Sequence, residues 1–319
     1  MSTKIKNNSA IVAMALLWLA FGLGSKALAT NPPTNAEELV AQHLDSIATP
    51  AVRAGFKSRV AQGPVHFTIL VGGAGNLDGK AVLVSDGNKL QFMMKLPNNE
   101  YRGEQFIFNG EKDKVAFSGA RQTRSPFGNF VFVQDAVIRE GLLGGTLSTA
   151  WPLLNLDERK AKLSFGGLKK IDGQELYELR YRPHKNTDLE INLYFDPQTY
   201  HHVETTYSYS VSQSLTGESS ATDAGEVPVT GGSPGISGNG AGISGSPETA
   251  QARLYMNRYR MQEKFSDFKT VDGVTLPTHY DLQFSQELQN GRTTLWDWDI
   301  KGLEFSNNVG VDPRNFEVK

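Results

Sequence analysis

The chain has 319 residues, and its 32 basic residues against 34 acidic ones leave a formal net charge of −2. This near balance excludes the concentrated basic field that a nucleic-acid-binding protein needs, and the absence of cysteine excludes disulfides, thiolate metal sites and cysteine nucleophiles. Aromatic residues make up 10% of the chain and 32 residues are glycine, a composition typical of a turn-rich β protein.

Residues 1–29 have the three-part layout of a secretory signal peptide. Lys4 and Lys6 form a positive region, residues 10–23 an apolar region, and Ala27-Leu-Ala29 a small-residue cleavage site. The apolar region has 14 residues, whereas a helix that spans a bilayer needs about 20, so a cleaved signal is favoured over a membrane anchor. We therefore expect cleavage after Ala29 and a mature chain that is free in an extracytoplasmic space, without a transmembrane segment.

The mature chain begins with a predicted amphipathic helix that leads into strands. Apolar residues recur at helical spacing from Ala36 to Thr49, with Asn35 as the candidate N-cap and Pro50 as the stop. Between residues 65 and 117 apolar and polar side chains alternate, which predicts about five strands of an antiparallel meander.

The alternation of apolar and polar residues stops in the middle of the chain. Residues 136–154 are apolar, and four helix-breaking residues interrupt them: Gly141, Gly144, Gly145 and Pro152. We interpret this segment as short helices with flexible joints. It is suited to covering the open mouth of a curved sheet, but a buried helix pair that completes the core fits the sequence equally well.

A second meander follows, and two Asp-Gly pairs mark its hairpins. Asp172-Gly173 and Asp272-Gly273 each lie between alternating runs, a strong short-range signal for a hairpin. Residues 212–251 are rich in Gly, Ser, Thr and Pro and cannot bury enough apolar surface to become ordered, so we predict a disordered loop insertion. The predicted fold is mainly β (α+β), with about eleven or twelve strands in a large sheet that curls or closes.

Catalytic and metal-binding signals are weak. Residues 231–235 match Gly-x-Ser-x-Gly, but a proline stands where the helix of a nucleophile elbow would begin. His201 and His202 point to opposite faces of a strand, which favours solvated or edge histidines over metal ligands. Asp297 and Asp299 share a face of the last strand and could pair as acid and base, but wet-side residues explain them better. We assign no catalytic residue, metal ligand or cofactor, and we do not expect an enzyme.

Three stretches of local sequence carry a family resemblance. They are Lys170-Ile-Asp-Gly-Gln-Glu-Leu-Tyr-Glu-Leu-Arg180, Leu193-Tyr-Phe-Asp-Pro-Gln-Thr-Tyr200 and Phe268-Lys-Thr-Val-Asp-Gly-Val-Thr-Leu-Pro277. Together with the order of helix, meander, helical segment and second meander, they resemble the LolA/LolB-like superfamily of periplasmic lipoprotein carriers. The resemblance implies one domain over residues 30–319, interrupted by the insertion at 212–251. It also implies an unclosed β half-barrel with an N-terminal helix and a helical lid.

The same resemblance implies a function in outer-membrane lipoprotein sorting. Such a protein ferries the acyl chains of a lipoprotein or another envelope lipid between donor and acceptor proteins of the inner and outer membranes, without a cofactor. An acyl chain of about 16 carbons carries on the order of 12 kcal/mol of transfer free energy and does not cross water unescorted at a useful rate. A carrier therefore needs an apolar face and a cover that opens.

Two sets of residues are predicted to form this site, and the alternative for each is a filled core. The apolar lining set is Phe67, Leu90, Phe92, Met94, Phe106, Phe108 and Phe117. The lid set is Leu142, Leu143, Leu147, Trp151 and Leu154. Methionine and phenylalanine suit a pocket that accepts varied chains.

Two other classes of function stay open on the sequence. Envelope-stress sensors of the same fold are regulatory modules that bind a lipid or a protein partner without transporting anything. An envelope hydrolase would need convergent catalytic groups, which the sequence does not provide. A carrier predicts retained lipid, a sensor predicts a stable protein partner, and a hydrolase predicts turnover that one substitution abolishes.

Overall fold

The computed structural model describes residues 31–117, 124–185, 187–213, 255–288 and 290–318. Its helices and strands lie in one compact unit, Thr34–Lys319. The predicted signal peptide and the Gly-x-Ser-x-Gly pattern lie outside the described residues. Within the described ranges, no helix combines the length and the apolar character needed to cross a membrane.

Two helices precede the sheet. α1 spans Ala36–Ile47, and the Asn35 side chain accepts a hydrogen bond from the Glu38 N–H at 2.8 Å, so the predicted N-cap is confirmed. The helix ends before the predicted Thr49, because Thr49 is itself the N-cap of α2, Pro50–Gly55. The sequence analysis missed α2 because it interpreted the proline only as a stop, whereas proline is also favoured at the first helical position.

Thirteen antiparallel strands form one sheet. The first meander has five strands, as predicted: β1 Ser58–Val71, β2 Asn76–Asp86, β3 Lys89–Lys95, β4 Gly103–Phe108 and β5 Asp113–Phe117. The second part has eight: β6 Lys162–Ile171, β7 Gln174–Arg182, β8 Glu190–Phe195, β9 His202–Gln213, β10 Tyr255–Val271, β11 Val274–Glu287, β12 Thr293–Lys301 and β13 Glu304–Asn307. The unpredicted strand is the short β13, which pairs with the start of β1.

The two meanders meet where β1 pairs with β12. The strand order is β5-β4-β3-β2-β1-β12-β11-β10-β9-β8-β7-β6, with β13 beside β1 off this path. β5 and β6 are the two edges and do not pair with each other, so the sheet is not closed into a barrel. The predicted unclosed half-barrel is therefore confirmed.

Both Asp-Gly hairpins have the turn geometry that the sequence predicts. The φ angles are 48° and 89° at Asp172 and Gly173, and 53° and 76° at Asp272 and Gly273. Left-handed φ at both central residues is what a type I′ turn requires, and its twist matches that of the flanking strands. The turns therefore fix the pairing of β6 with β7 and of β10 with β11.

The predicted insertion lies between two paired strands. β9 continues through Gln213, two residues into the range 212–251, and its pairing with β10 starts opposite Tyr255. Residues 214–254 lie outside the described residues. The strands on either side thus form the antiparallel pair that a hairpin insertion requires.

Between the meanders, a series of short helices crosses the sheet. They are α3 Pro126–Val133, α4 Ala136–Arg139, α5 Leu156–Arg159 and the short 3-10 helices Gly145–Leu147 and Pro152–Leu154. We call residues 136–154 the cover segment and the sheet face that packs against it the inner face. The prediction of short helices separated by glycine joints is confirmed, and the main core lies between the cover segment and the inner face.

Candidate functional site

The predicted lining residues lie on the inner face. Six of the seven are buried members of the main core cluster: Phe67, Leu90, Phe92, Met94, Phe106 and Phe108. Phe117 differs, because it ends the edge strand β5, is half-buried and has a φ of 74°. The structure therefore places six of the predicted lining residues together and leaves Phe117 at the edge.

The predicted lid residues cover this face. Leu142, Leu143, Leu147 and Trp151 are at most 1% exposed and belong to the same core cluster, and Leu154 is half-buried against it. The cover segment thus fills the inner face with its own side chains in this structure. An acyl ligand at this place would have to replace those side chains.

Two glycine joints hold the cover segment close to its surroundings. Gly141 has a φ of 74°, and a Cβ there would lie 2.1 Å from the Ala150 carbonyl oxygen. Gly144 has a φ of 81°, and a Cβ there would lie 2.4 Å from Leu83 Cδ1. The left-handed backbone favours glycine at both positions, and at Gly141 the close backbone carbonyl excludes a side chain as well.

A buried carboxylate group anchors the joint at Gly144. Glu263 on β10 is fully buried and accepts hydrogen bonds from the Gly144 N–H at 2.7 Å and from the Tyr207 and Tyr280 hydroxyls at 2.6 Å each. Burial raises the pKa of Glu263 to about 7, although all three donors favour the ionised form. One side chain of the sheet therefore connects two strands to the cover segment.

Histidine and tryptophan form a second buried contact. The Trp151 Nε1–H donates to His43 Nε2 at 3.2 Å, and His43 Nδ1 donates to the Tyr200 carbonyl oxygen at 2.9 Å. This arrangement needs the neutral Nδ1–H tautomer, and burial lowers the pKa of His43 to about 3. Trp151 also stacks on His202 at 4.7 Å between ring centroids.

The expectation of solvated or edge histidines is wrong for His202. His202 is fully buried, and burial lowers its pKa well below the usual value. His201 is half-buried and stacks on Phe268. The two rings do point to opposite faces, as strand geometry requires. His202 points inward because its face of β9 packs against Trp151, a contact that the local sequence does not reveal.

Three further polar contacts tie the cover segment to the rest of the fold. The Arg59 Nη1–H donates to the Thr146 carbonyl oxygen at 2.7 Å. The Thr149 N–H donates to Ser85 Oγ at 2.9 Å, and the Tyr181 hydroxyl donates to Glu140 Oε2 at 2.6 Å. The cover segment is therefore held by a few discrete hydrogen bonds in addition to apolar packing.

A second buried carboxyl group lies on β4. Glu104 accepts hydrogen bonds from the Tyr101 hydroxyl at 2.9 Å and from the Ser125 hydroxyl. Ser125 is also the N-cap of α3, because its Oγ accepts from the Gly128 N–H. Burial raises the pKa of Glu104 to about 8. This group links the first meander to the helix that precedes the cover segment.

Sequence reasoning missed both buried carboxyl groups, although a signal was present. Glu263 alternates with Met261 and Phe265, and Glu104 with Phe106, so each occupies an inward position of an apolar strand face. A charged residue at such a position is costly to bury and needs hydrogen-bond partners. The pattern identifies the residues but not the partners, which come from other strands.

The outer face of the sheet is wet, as predicted for Asp297 and Asp299. Both are half-buried on the face opposite Trp298, and Asp299 accepts from His279 Nε2 at 2.7 Å and from Lys301 Nζ at 2.6 Å. Within the residues that the structure describes, no group of three or more His, Cys, Asp or Glu side chains has an arrangement that could hold a metal ion. Asp299 thus lies in ion pairs on this face, whereas burial and the neighbouring Asp297 raise the pKa of Asp281 to about 7.

Comparisons with known proteins concern the fold. No family model and no curated protein matches the chain. The structure is similar to a Vibrio parahaemolyticus domain provisionally assigned to outer-membrane lipoprotein sorting (10% identity, 88% of this chain and 97% of that one, TM-score 0.43). It is also similar to a LolA-superfamily protein from Nitrosomonas europaea (13% identity, 89% of this chain and 98% of that one, TM-score 0.42). A third similar structure is a DUF1329-family protein from Desulfovibrio piger (13% identity, 91% of this chain and 98% of that one, TM-score 0.36).

Proposed function

We propose that this protein is a periplasmic carrier that holds the acyl chains of a lipoprotein or another envelope lipid on the inner face of the half-barrel. The observation that carries the proposal is the packing of an apolar, glycine-jointed cover segment on the inner face of a sheet that is not closed. In this proposal the lining and lid sets are the ligand-binding residues, and the cargo replaces the cover side chains.

The energies of the two occupants are of the same order. Fully burying a leucine side chain contributes about 1.5–3 kcal/mol, and an acyl chain of about 16 carbons carries on the order of 12 kcal/mol. Leu142, Leu143, Leu147 and Trp151 are all buried by the closed cover. Displacing them therefore costs much of what the cargo supplies. Such a balance allows the cargo to enter and to leave again, as a carrier requires.

The hydrogen bonds of the cover segment give the closed state a defined geometry. A neutral hydrogen bond contributes about 0.5–1.5 kcal/mol net and one to a charged group about 1.5–3 kcal/mol, so the contacts of Glu263, Arg59 and His43 specify the closed position without making it permanent. The joints at Gly141 and Gly144 supply the backbone freedom for movement. These features support a cover that opens as a unit.

Native mass spectrometry of the mature protein purified from its own envelope, followed by organic extraction, tests the proposal directly. We expect a stoichiometric amphiphile, together with uptake of a fluorescent fatty-acid probe by the emptied protein. A protein that is empty and refuses the probe would contradict the carrier function and show that the inner face is a permanently filled core.

The Tyr181→Phe variant tests whether the cover segment moves during uptake. The substitution removes one hydrogen bond to Glu140, and a loss of about 1 kcal/mol raises the open population about fivefold. We therefore expect a similar increase in the initial rate of probe uptake. Tyr177→Phe is the matched control, because Tyr177 lies on the same strand and face and stacks on Tyr200 instead. Equal rates in both variants would argue against a moving cover.

A further inference from the structure

A cavity of about 300 Å³ lies between α1, α2, the start of β1 and the cover segment. Its apolar wall includes Leu44, Ile47, Phe56 and Val274. On its polar side lie the Arg59 and Thr146 side chains. The volume is at the lower end of the range for small-molecule sites, which are mostly apolar with a few placed polar groups.

Arg59 is a buried cation that has no ion-pair partner among the described residues, and its guanidinium carbon lies 5.8 Å from the centroid of the Phe56 ring. It is 5% exposed, and its guanidinium donates from Nε to Asn307 Oδ1 at 2.8 Å and from Nη1 to the Thr146 carbonyl oxygen at 2.7 Å. Both acceptors are neutral, and among the described residues no carboxylate forms an ion pair with Arg59. Burial lowers its pKa to about 10, so it stays charged at neutral pH. A buried charge of this kind is costly unless an anion compensates it.

Thr146 adds an unused donor to the same cavity. The residue is 4% exposed, and its Oγ1 is buried without a hydrogen-bond partner. The cavity wall also contains Arg53, whose Nη1 already pairs with Asp45 Oδ1 at 3.2 Å, and within the described part of the chain the lining includes no acidic side chain. The buried Thr146 hydroxyl without a partner and the Arg59 guanidinium form an incomplete polar site, which oxygen atoms of an anion would complete.

We propose that this cavity binds the anionic head group of an amphiphile. The Arg59 guanidinium and the Thr146 hydroxyl donate to the carboxylate or phosphate oxygens, and the apolar wall contacts the first methylenes of the chain. This inference deepens the proposed function. It rests on that function in one respect, which is that the bound amphiphile is the cargo of the carrier. The apolar wall favours an amphiphile over a free anion as the ligand, because a hydrated ion gains nothing from contact with leucine, isoleucine and phenylalanine side chains.

Three ligands distinguish the possible sources of binding. Isothermal titration calorimetry compares octanoate, which has a tail and a charge, with 1-octanol, which has the tail only, and with inorganic phosphate, which has the charge only. We expect octanoate to bind about tenfold more tightly than octanol, because one charge-assisted hydrogen bond contributes roughly this factor, and phosphate to bind least.

Two variants assign the preference to the cavity. Thr146→Val removes the unpartnered hydroxyl at constant shape, so it should weaken octanoate binding severalfold, leave octanol binding unchanged and not lower the stability. Arg59→Gln should abolish the preference for octanoate, and Arg59→Lys should retain part of it. Thr293→Val, at an exposed position of β12, is the matched control.

Each outcome separates this inference from the proposed function. Equal affinity for octanoate and octanol, or phosphate binding as tight as octanoate, would overturn the anionic head-group site, even if the long-chain probe of the carrier test is taken up. A preference for octanoate that Thr146→Val and Arg59→Gln leave intact would also overturn it. Selective octanoate binding without uptake of the long-chain probe would instead retain the site and contradict the carrier function.

Discussion

At the residue scale, the buried carboxyl groups Glu263 and Glu104 contribute to the pH dependence of stability. Glu263 and Glu104 have folded-state pKa values of about 7 and 8, against 4.5 when exposed, because burial penalises the charged form. Each group binds its proton more tightly when folded. Its contribution to stability is therefore complete below pH 4.5 and is lost as the pH rises through the folded pKa.

The buried histidines act in the opposite direction in a lower pH range. Burial depresses the pKa of His43 to about 3 and that of His202 well below 6.5. Their neutral forms stabilise the fold above the unfolded pKa of 6.5, and this stability is lost as the pH falls. Of these four groups, the two histidines and the two glutamates, only Glu263 and Glu104 still titrate above pH 6.5.

We predict that the free energy of unfolding of the mature protein falls between pH 6.5 and 8. The slope is at most about 1.4 kcal/mol per pH unit for each buried carboxyl group. Glu263→Gln should flatten the fall mainly below pH 7, and Glu104→Gln should flatten it over the whole range up to about pH 8, as measured by urea unfolding at a series of pH values. Glu304→Gln, at an exposed position, is the control. A wild-type stability that rises over this range would contradict the prediction.

At the element scale, the glycine joints determine the path of the cover segment. A short helix ends at Arg139 and another begins at Gly145, and the chain between them turns through left-handed glycines. The sequence predicts such joints, since glycine and proline interrupt an apolar run. The structure adds the contacts that make a side chain at Gly141 impossible without movement of the Ala150 carbonyl group.

We predict that Gly141→Ala destabilises the protein much more than Gly167→Ala. Both glycines have a φ of 74°, but a Cβ at Gly167 meets nothing within 4 Å, whereas one at Gly141 meets a backbone carbonyl oxygen at 2.1 Å. The backbone strain alone costs about 1–2 kcal/mol, and overpacking adds about 1–3 kcal/mol at Gly141. Urea unfolding of the two variants measures the difference, and equal costs would mean that the cover segment does not pack at Gly141 as described.

At the scale of the whole molecule, two meanders share one sheet through the pairing of β1 with β12. Phe67 lies opposite Trp298 in this register, so the inner faces of both meanders continue into each other. The N-terminal helix and the cover segment pack against this common face. The insertion joins β9 to β10, which lie away from that seam in the strand order.

We predict that replacing residues 214–254 with an Asn-Gly turn preserves the fold and the uptake of the fatty-acid probe. Gln213 and Tyr255 are directly paired, so a two-residue type I′ turn can join the strands. The shorter loop should raise the free energy of unfolding by on the order of 2 kcal/mol, because less loop-closure entropy is lost. Circular dichroism, urea unfolding and probe uptake check this, and a loss of uptake in a folded variant would show that the insertion takes part in binding.

The sequence by itself determined the local features: the alternating strands, both Asp-Gly turns, the Asn35 cap and the broken helices of the cover segment. These depend on side-chain period and on backbone preferences that neighbouring residues set. Only the tertiary structure decided which polar groups meet. Arg59 and Asn307 are 248 positions apart, and Glu263 and Gly144 are 119 apart. Such partners depend on strand order and register across the whole sheet, which no local pattern specifies, and therefore the buried carboxyl groups and the cavity became visible only in the folded chain.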